Sequence, residues 1–320
     1  MDHSIRVIPH KKEFVMEVPT EIPQGVELVQ APSIWKTGVK GKDVVIAVLD
    51  TGCDQEHPDL KGRIIGGRNF TTDDDGDPEN VTDYNGHGTH VSGTMAANEN
   101  SLGVIGVAPE ASLLIVKVLS GERGSGQYDW IVSGIQYAID QKVDIISMSL
   151  GGPNDYKPLH DVIKKAVDAN ILVVCAAGNE GDEDHSTEEF SYPAGYNEVI
   201  SVGAIDFERR SSYFTNSNNE VDLVAPGEDI ISTVPGEKYA KYSGTSMSAP
   251  HVSGALALIK NLEESNFERI LTEPELYAQL IRRTIPLSYQ KTLEGNGMLY
   301  LTTPDLLKKH LEESQFSISV

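Results

Sequence analysis

Five short runs of this chain are rich in valine, isoleucine and leucine and lack polar alternation: VVIAVLD (44–50), ASLLIVKVL (111–119), DIISMSL (144–150), ILVVCAAG (171–178) and VISVGAI (199–205). A strand with one solvated face alternates, whereas runs like these belong to strands covered on both faces. Helical spacing lies between them. YDWIVSGIQYAIDQ sets Ile131, Val132, Ile135, Ala138 and Ile139 on one face, and LHDVIKKAVDAN does the same with Leu159, Val162, Ile163, Ala166 and Val167. Alternation of this kind predicts an α/β fold, a doubly wound, mostly parallel sheet with helices on both faces. No repeat and no Pro- or Gly-rich linker divides the chain, so a single domain is expected. Residues 1–20 stand apart as a charged, proline-bearing arm. Thr272 and Glu275 form a capping-box signature ahead of LYAQLIRRT. Thr303 and Pro304 open a last amphipathic helix, with Leu307 and Leu311 expected inward.

Charge limits the partners. A formal net charge of −22 argues against nucleic acid and anionic membranes, which need basic patches, and favours solubility and cation binding. No run approaches the roughly 18 apolar residues of a membrane span. MDHSIRVIPHKKEF lacks the apolar stretch of a secretory signal. The two cysteines, Cys53 and Cys175, make no disulfide framework and read as packed thiols of a cytoplasmic protein.

Three polar residues carry candidate chemistry. Asp50 closes the first apolar run, where open parallel sheets place their sites. Read alone it is as readily a turn-former. His87 lies in NGHGTHVSG at a helix start, a place that also suits a hydrogen-bonding histidine without a catalytic task. Ser246 lies in SGTSMSAPHVSGALAL, where Thr245 is expected as the helix cap and leaves the Ser246 hydroxyl without a capping role. Pro250 adds a conflict, because it cannot donate to the Ser246 carbonyl four residues back. Broken local rules tend to mark functional sites. A carboxylate, an imidazole and a hydroxyl together suit acyl transfer: the hydroxyl attacks, the imidazole takes its proton, and the carboxylate fixes the imidazole.

VLDTGCDQEHPDL, NGHGTHVSGT and SGTSMSAPHVSGALAL, in that order, resemble the subtilisin family of serine proteases, whose Asp–His–Ser order is well known. The likeness spans residues from about 22 to 304 and is nearest to the intracellular subtilisins of Bacillus-type bacteria. It implies Asp50 as orienting acid, His87 as general base, Ser246 as nucleophile and Asn179 in CAAGNEG as oxyanion donor. It implies that protein or peptide substrates lie between Gly124, Ser125 and Gly126 on one wall and Ser149, Leu150 and Gly151 on the other. Ala177, Gly178 and Ser191 would stand near the floor of the first pocket.

The resemblance also implies calcium. A tight site would use Asp59 with Asn98, Asn100, Leu102 and Val104, while Thr20 stands where the family has a further ligand. A second, weaker cation site would use Ala194, Tyr196, Val199 and Asp222. DDDGDPEN (73–80) lacks the closing Glu of an EF-hand loop and is read as solvated. Residues 1–20 would be an inhibitory propeptide carrying the motif Val7, Ile8, Pro9 and His10, in which Pro9 keeps the arm out of cleavable register. Removal is expected at about residues 14–21. Residues 21–304 would be the catalytic domain and 305–320 a helical tail, and the protein would be a homodimer. Two other readings compete. A metallohydrolase could be drawn from His57, His87, His90, Asp50 and Asp54, against the glycines around His87 and the missing Glu base. A protease-like binding protein is the other, against a full set of catalytic residue types.

Overall fold

The computed structural model describes residues 4–8, 10–15, 22–182 and 186–308. The first arm segment forms β1 (Ser4–Val7) and β2 (Lys11–Val15), followed by the short helices α1 (Gln24–Leu28) and α2 (Ala31–Trp35). The first apolar run becomes β3 (Val45–Asp50), followed by β4 (Ile64–Asn69), α3 (His87–Ala96) and β5 (Ser112–Lys117). Next come β6 (Ser125–Gln127), α4 (Tyr128–Asp140), β7 (Ile145–Met148) and β8 (Leu150–Gly151). The chain continues through α5 (Lys157–Asp168), β9 (Leu172–Ala176), β10 (Ile200–Ile205) and β11 (Val221–Pro226). A hairpin of β12 (Ile230–Val234) and β13 (Lys238–Ser243) precedes α6 (Thr245–Phe267) and α7 (Glu273–Ile281). Short β14 (Thr284–Ile285), α8 (Lys291–Glu294) and β15 (Met298–Leu299) complete the edge.

All five expected runs are strands of one sheet, ordered β14-β15-β11-β10-β9-β7-β3-β5-β4. Its pairings are parallel except for the edge pair β14–β15. The strands alternate between two cores, as strands covered on both faces must. Ile46 and Val48 of β3 join a core shared with α3 and α6, while Ala47 and Leu49 join the core under α4 and α5. Of the expected helix faces, Ile131, Ile135, Ala138, Leu159, Val162, Ile163 and Ala166 are buried, and Val132, Ile139 and Val167 pack at the margin. Cys53 and Cys175 are buried free thiols, one in each core.

Four strands of this sheet escaped the apolar-run reading, among them β14, which is only two residues long. β4 carries Gly66 and Gly67 and is half exposed at the sheet edge, so it shows no continuous apolar signal. β11 is broken by Asp222 and closed by Pro226, and β15 is only two residues long. The capping box at Thr272 and Glu275 is present. The last helix does begin at Thr303, but Leu307 is exposed rather than inward. Contact with the core is made by Leu301 and Thr303 at its start. Leu311 lies outside the described residues. No helix among them is long and apolar enough to cross a membrane.

The arm does not stand off the core. Ile5, Val7 and Ile8 are buried. β1 is the middle strand of a small antiparallel sheet ordered β6-β1-β8, and β2 extends the β12–β13 hairpin.

Candidate active site

Three separate elements bring Asp50, His87 and Ser246 to one end of the sheet. Asp50 is the last residue of β3, His87 the first of α3, and Ser246 the second of α6. All three are buried. His87 Nδ1 lies 2.8 Å from Asp50 Oδ1 and 3.0 Å from Oδ2. Placing the ring proton on Nδ1, opposite the carboxylate, leaves Nε2 as the basic nitrogen. Nε2 is buried without a hydrogen-bond partner among the described residues.

Ser246 Oγ donates to the Ser149 carbonyl at 3.2 Å. The reverse contact resolves the conflict at Pro250. Ser149 Oγ donates to the Ser246 carbonyl at 2.8 Å, supplying the hydrogen bond that Pro250 cannot give. Ser149 therefore completes the first turn of the helix that carries Ser246. The expected cap is corrected: Gly244, in extended conformation, is the N-cap, and Thr245 is the first helical residue. Thr245 has another task, because its amide and hydroxyl both donate to Asn179 Oδ1, at 2.9 and 2.8 Å. Fixing Oδ1 fixes the amide plane, with Nδ2 on the side of Gly244.

Several supporting residues carried no separable signal in the sequence. Asp83 Oδ1 accepts from Thr51 Oγ1 at 2.8 Å and from the Gly86 amide at 2.8 Å. Its Oδ2 accepts from the Thr89 amide and hydroxyl at 2.9 and 2.6 Å. One buried carboxylate thus ties the residue after Asp50 to the helix start that carries His87. The fully buried Lys117 reinforces the turn by donating to the Thr51 and Thr82 carbonyls at 2.6 and 3.0 Å. It also pairs with Asp73 at 3.0 Å, so the first aspartate of the supposedly solvated 73–80 loop has a structural partner. Asn216 braces the loop that carries Asn179: its Nδ2 donates to the Ala177 carbonyl at 3.1 Å, and its Oδ1 accepts from the Glu180 amide at 2.7 Å. Gly178 within that loop has φ +119°, a conformation suited to glycine.

Both expected walls are brought together, and the arm lies between them. Ile5 and Arg6 pair with Gly126 and Ser125, and Arg6 and Val7 with Gly151 and Leu150. The Val7 amide donates to the Gly124 carbonyl at 2.8 Å. A side chain at Gly151 would collide with Ser191 Oγ, so the pocket wall must be bare there. Ile8 reaches the same wall beside Gly151, and His10 lies over His87, with ring centres 4.8 Å apart. His10 also meets the Tyr242 ring at 4.9 Å. Burial, then the neighbouring His87, push the His10 pKa down to about 2. Pro9 and Thr20 lie outside the described residues.

The histidines of the metallohydrolase reading do not converge. His57 Nε2 donates to the Lys238 carbonyl at 3.2 Å, and His90 Nε2 faces the Ile230 and Ala240 carbonyls at 3.0 and 3.2 Å. The residues expected to hold calcium at the tight site do cluster. Asp59 is fully buried; its Oδ1 accepts from Asn100 Nδ2 at 3.0 Å, and its Oδ2 from the Val104 amide and Tyr239 hydroxyl, each at 2.9 Å. The Asn98 amide donates to the Asp59 carbonyl at 2.7 Å, and the Leu102 amide to Asn100 Oδ1 at 2.9 Å. Asp222 accepts from the Ser201 amide and Tyr277 hydroxyl at 2.8 and 2.6 Å, and burial pushes its carboxyl up to about 6. Val199 precedes that sheet contact, while Ala194 and Tyr196 are buried beside α5 in the second core.

Comparison with known proteins identifies the family. The subtilase family model matches residues 41–306. An intracellular serine protease of Paenibacillus polymyxa is 65% identical over 97% of this chain and 94% of its own length. The major intracellular serine protease of Bacillus subtilis (strain 168) is 62% identical over 98% of each chain. Subtilisin E of the same organism is 46% identical over 76% of this chain and 62% of its own length. The chain belongs to the subtilase family.

Proposed function

We propose that this protein is an intracellular serine endopeptidase made as a zymogen, with its own arm laid through the substrate cleft. The observation that carries the reading is the arm itself: residues 4–7 pair with both walls as a peptide substrate would, beside a bonded Asp50–His87 pair and Ser246. Strand addition of this kind holds any extended peptide through its main chain. Pro9 keeps the arm out of cleavable register, and loss of the arm between about residues 14 and 21 opens the site. Ser246 Oγ then turns from the Ser149 carbonyl to His87 Nε2. His87 takes the hydroxyl proton as Oγ attacks the peptide carbonyl, and Asp50 stabilises the imidazolium. The Asn179 side-chain amide and the Ser246 main-chain N–H receive the oxyanion at the start of α6. His87 returns the proton to the departing amine, and water hydrolyses the acyl-enzyme by the same path.

Asp59 supports the calcium reading, as a buried carboxylate with no basic partner among the described residues, wrapped by an oxygen-rich loop. Asp59, the Asn100 amide and the main-chain oxygens of Asn98, Leu102 and Val104 would hold the ion, which would pin that loop. Asp222 with the Ala194, Tyr196 and Val199 carbonyls is the weaker site. The resemblance further suggests a homodimer, and residues 309–320 of the C-terminal segment lie outside the described residues.

The test is an intact-mass time course in calcium, comparing the native chain with Ser246→Ala. Loss of 14–21 N-terminal residues by the native chain alone supports nucleophile and self-processing together. If both chains stay whole while the native protein hydrolyses peptides, the zymogen reading fails. A native chain inert to peptides after arm removal would favour a binding protein.

A further inference from the structure

The arm continues past the catalytic residues. Beyond His10 it becomes β2 and lies antiparallel along β13, with five paired positions from Lys11 opposite Ser243 to Val15 opposite Tyr239. The other edge of β13 is closed by β12. The second edge is therefore covered by a segment that processing removes. A bare strand edge presents unpaired N–H and C=O groups and is a template for another extended chain. Direction matters here. Residues 4–7 lie on the two walls, Ile8 beside Gly151, His10 over His87 and 11–15 on β13. A substrate entering the same walls in the same direction delivers its C-terminal part to β13.

We propose that, in the processed enzyme, β13 is a binding edge for the leaving-group side of extended protein substrates. It takes residues three to seven positions beyond the one that stands where Ile8 stands. The inference rests on the zymogen reading, because only loss of the arm bares this edge. Side chains at the edge add a selectivity. Glu13 is directly opposite Lys241, and both are exposed. Opposite charges facing each other across an antiparallel pair attract. An acidic residue is therefore favoured five positions after the Ile8 place. On the alternate face, Lys12 lies over the Tyr242 ring at 5.2 Å and donates to the Asn85 carbonyl at 3.2 Å.

The experiment uses processed enzyme, with arm loss checked by mass on the same sample. Two internally quenched peptides share every residue through the scissile bond and two residues beyond; one stops there and the other continues for five more. The longer is expected to give kcat/KM about tenfold higher or more. Only every second residue of a strand bonds to a given edge. N-methylation of alternate residues in the extension should abolish the gain in one frame and spare it in the other. Lys241→Glu should change the preference for glutamate over lysine at the fifth position by several-fold. Equal rates for short and long peptides with the arm gone, or equal loss in both methylation frames, would overturn the proposal alone. An active enzyme with its arm still attached would overturn the zymogen reading and this one with it.

Discussion

Ser149 supports the helix of Ser246 through one hydroxyl. Its removal leaves the Ser246 carbonyl buried and unbonded, at a cost of about 1–3 kcal/mol. In a Ser246→Ala background, which keeps that carbonyl and prevents self-digestion, urea unfolding should show Ser149→Ala destabilising by about that amount. The loss should shrink when Pro250→Ala is added, because the alanine N–H then supplies the helical bond. Additive effects would refute the compensation. His10 makes a second residue-scale prediction. Buried in the docked arm, it has a pKa of about 2, against an ordinary value of 6.5 for the exposed group. Above pH 6.5 it is neutral whether docked or free, and docking is unaffected. Below that value the free arm takes a proton that the docked arm refuses, so docking weakens progressively toward pH 2. At about pH 5 the linkage amounts to about thirtyfold. The protection factor at residues 4–7 of Ser246→Ala, taken against the intrinsic exchange rate at each pH, should fall between about pH 7.5 and 5, and His10→Phe should flatten that fall.

At the scale of elements, the start of α3 is set by a carboxylate outside the triad. Asp83 gathers the turn after Asp50 and the first turn of the His87 helix into one hydrogen-bonded unit. Asp83→Asn replaces one acceptor oxygen with a donor that must face other donors. The expected result is a kcat at least tenfold lower with KM within about twofold, together with a stability loss of about 2–4 kcal/mol. A variant equally unstable but with unchanged kcat would make Asp83 purely structural. None of this unit was legible from local pattern. Asp83 reads as an ordinary loop aspartate, and its task exists only because Thr51 and Thr89 meet it. The edge strand β4 was missed for a related reason, since a half-exposed strand with two glycines carries no apolar run.

At the scale of the molecule, the sheet and its two helical layers position the site, and the loop at 98–104 wraps Asp59 away from it. If calcium pins that loop, chelation should lower Tm by several degrees and speed unfolding. Asp59→Asn should abolish the difference between calcium and chelator. An equal Tm with and without chelator in the native chain would refute the site. The sequence by itself determined the strand–helix alternation, because apolar burial on both faces is written in each run. It also determined the order Asp50, His87, Ser246, because strand ends and helix starts carry local signatures. Only the tertiary structure decided that Ser149 completes the helix Pro250 interrupts, and that Asp83 and Asn216 brace the catalytic loops. It alone laid residues 11–15 along β13, more than two hundred positions away in the chain. Periodicity and capping act within a few residues, whereas these contacts need partners brought together by the sheet.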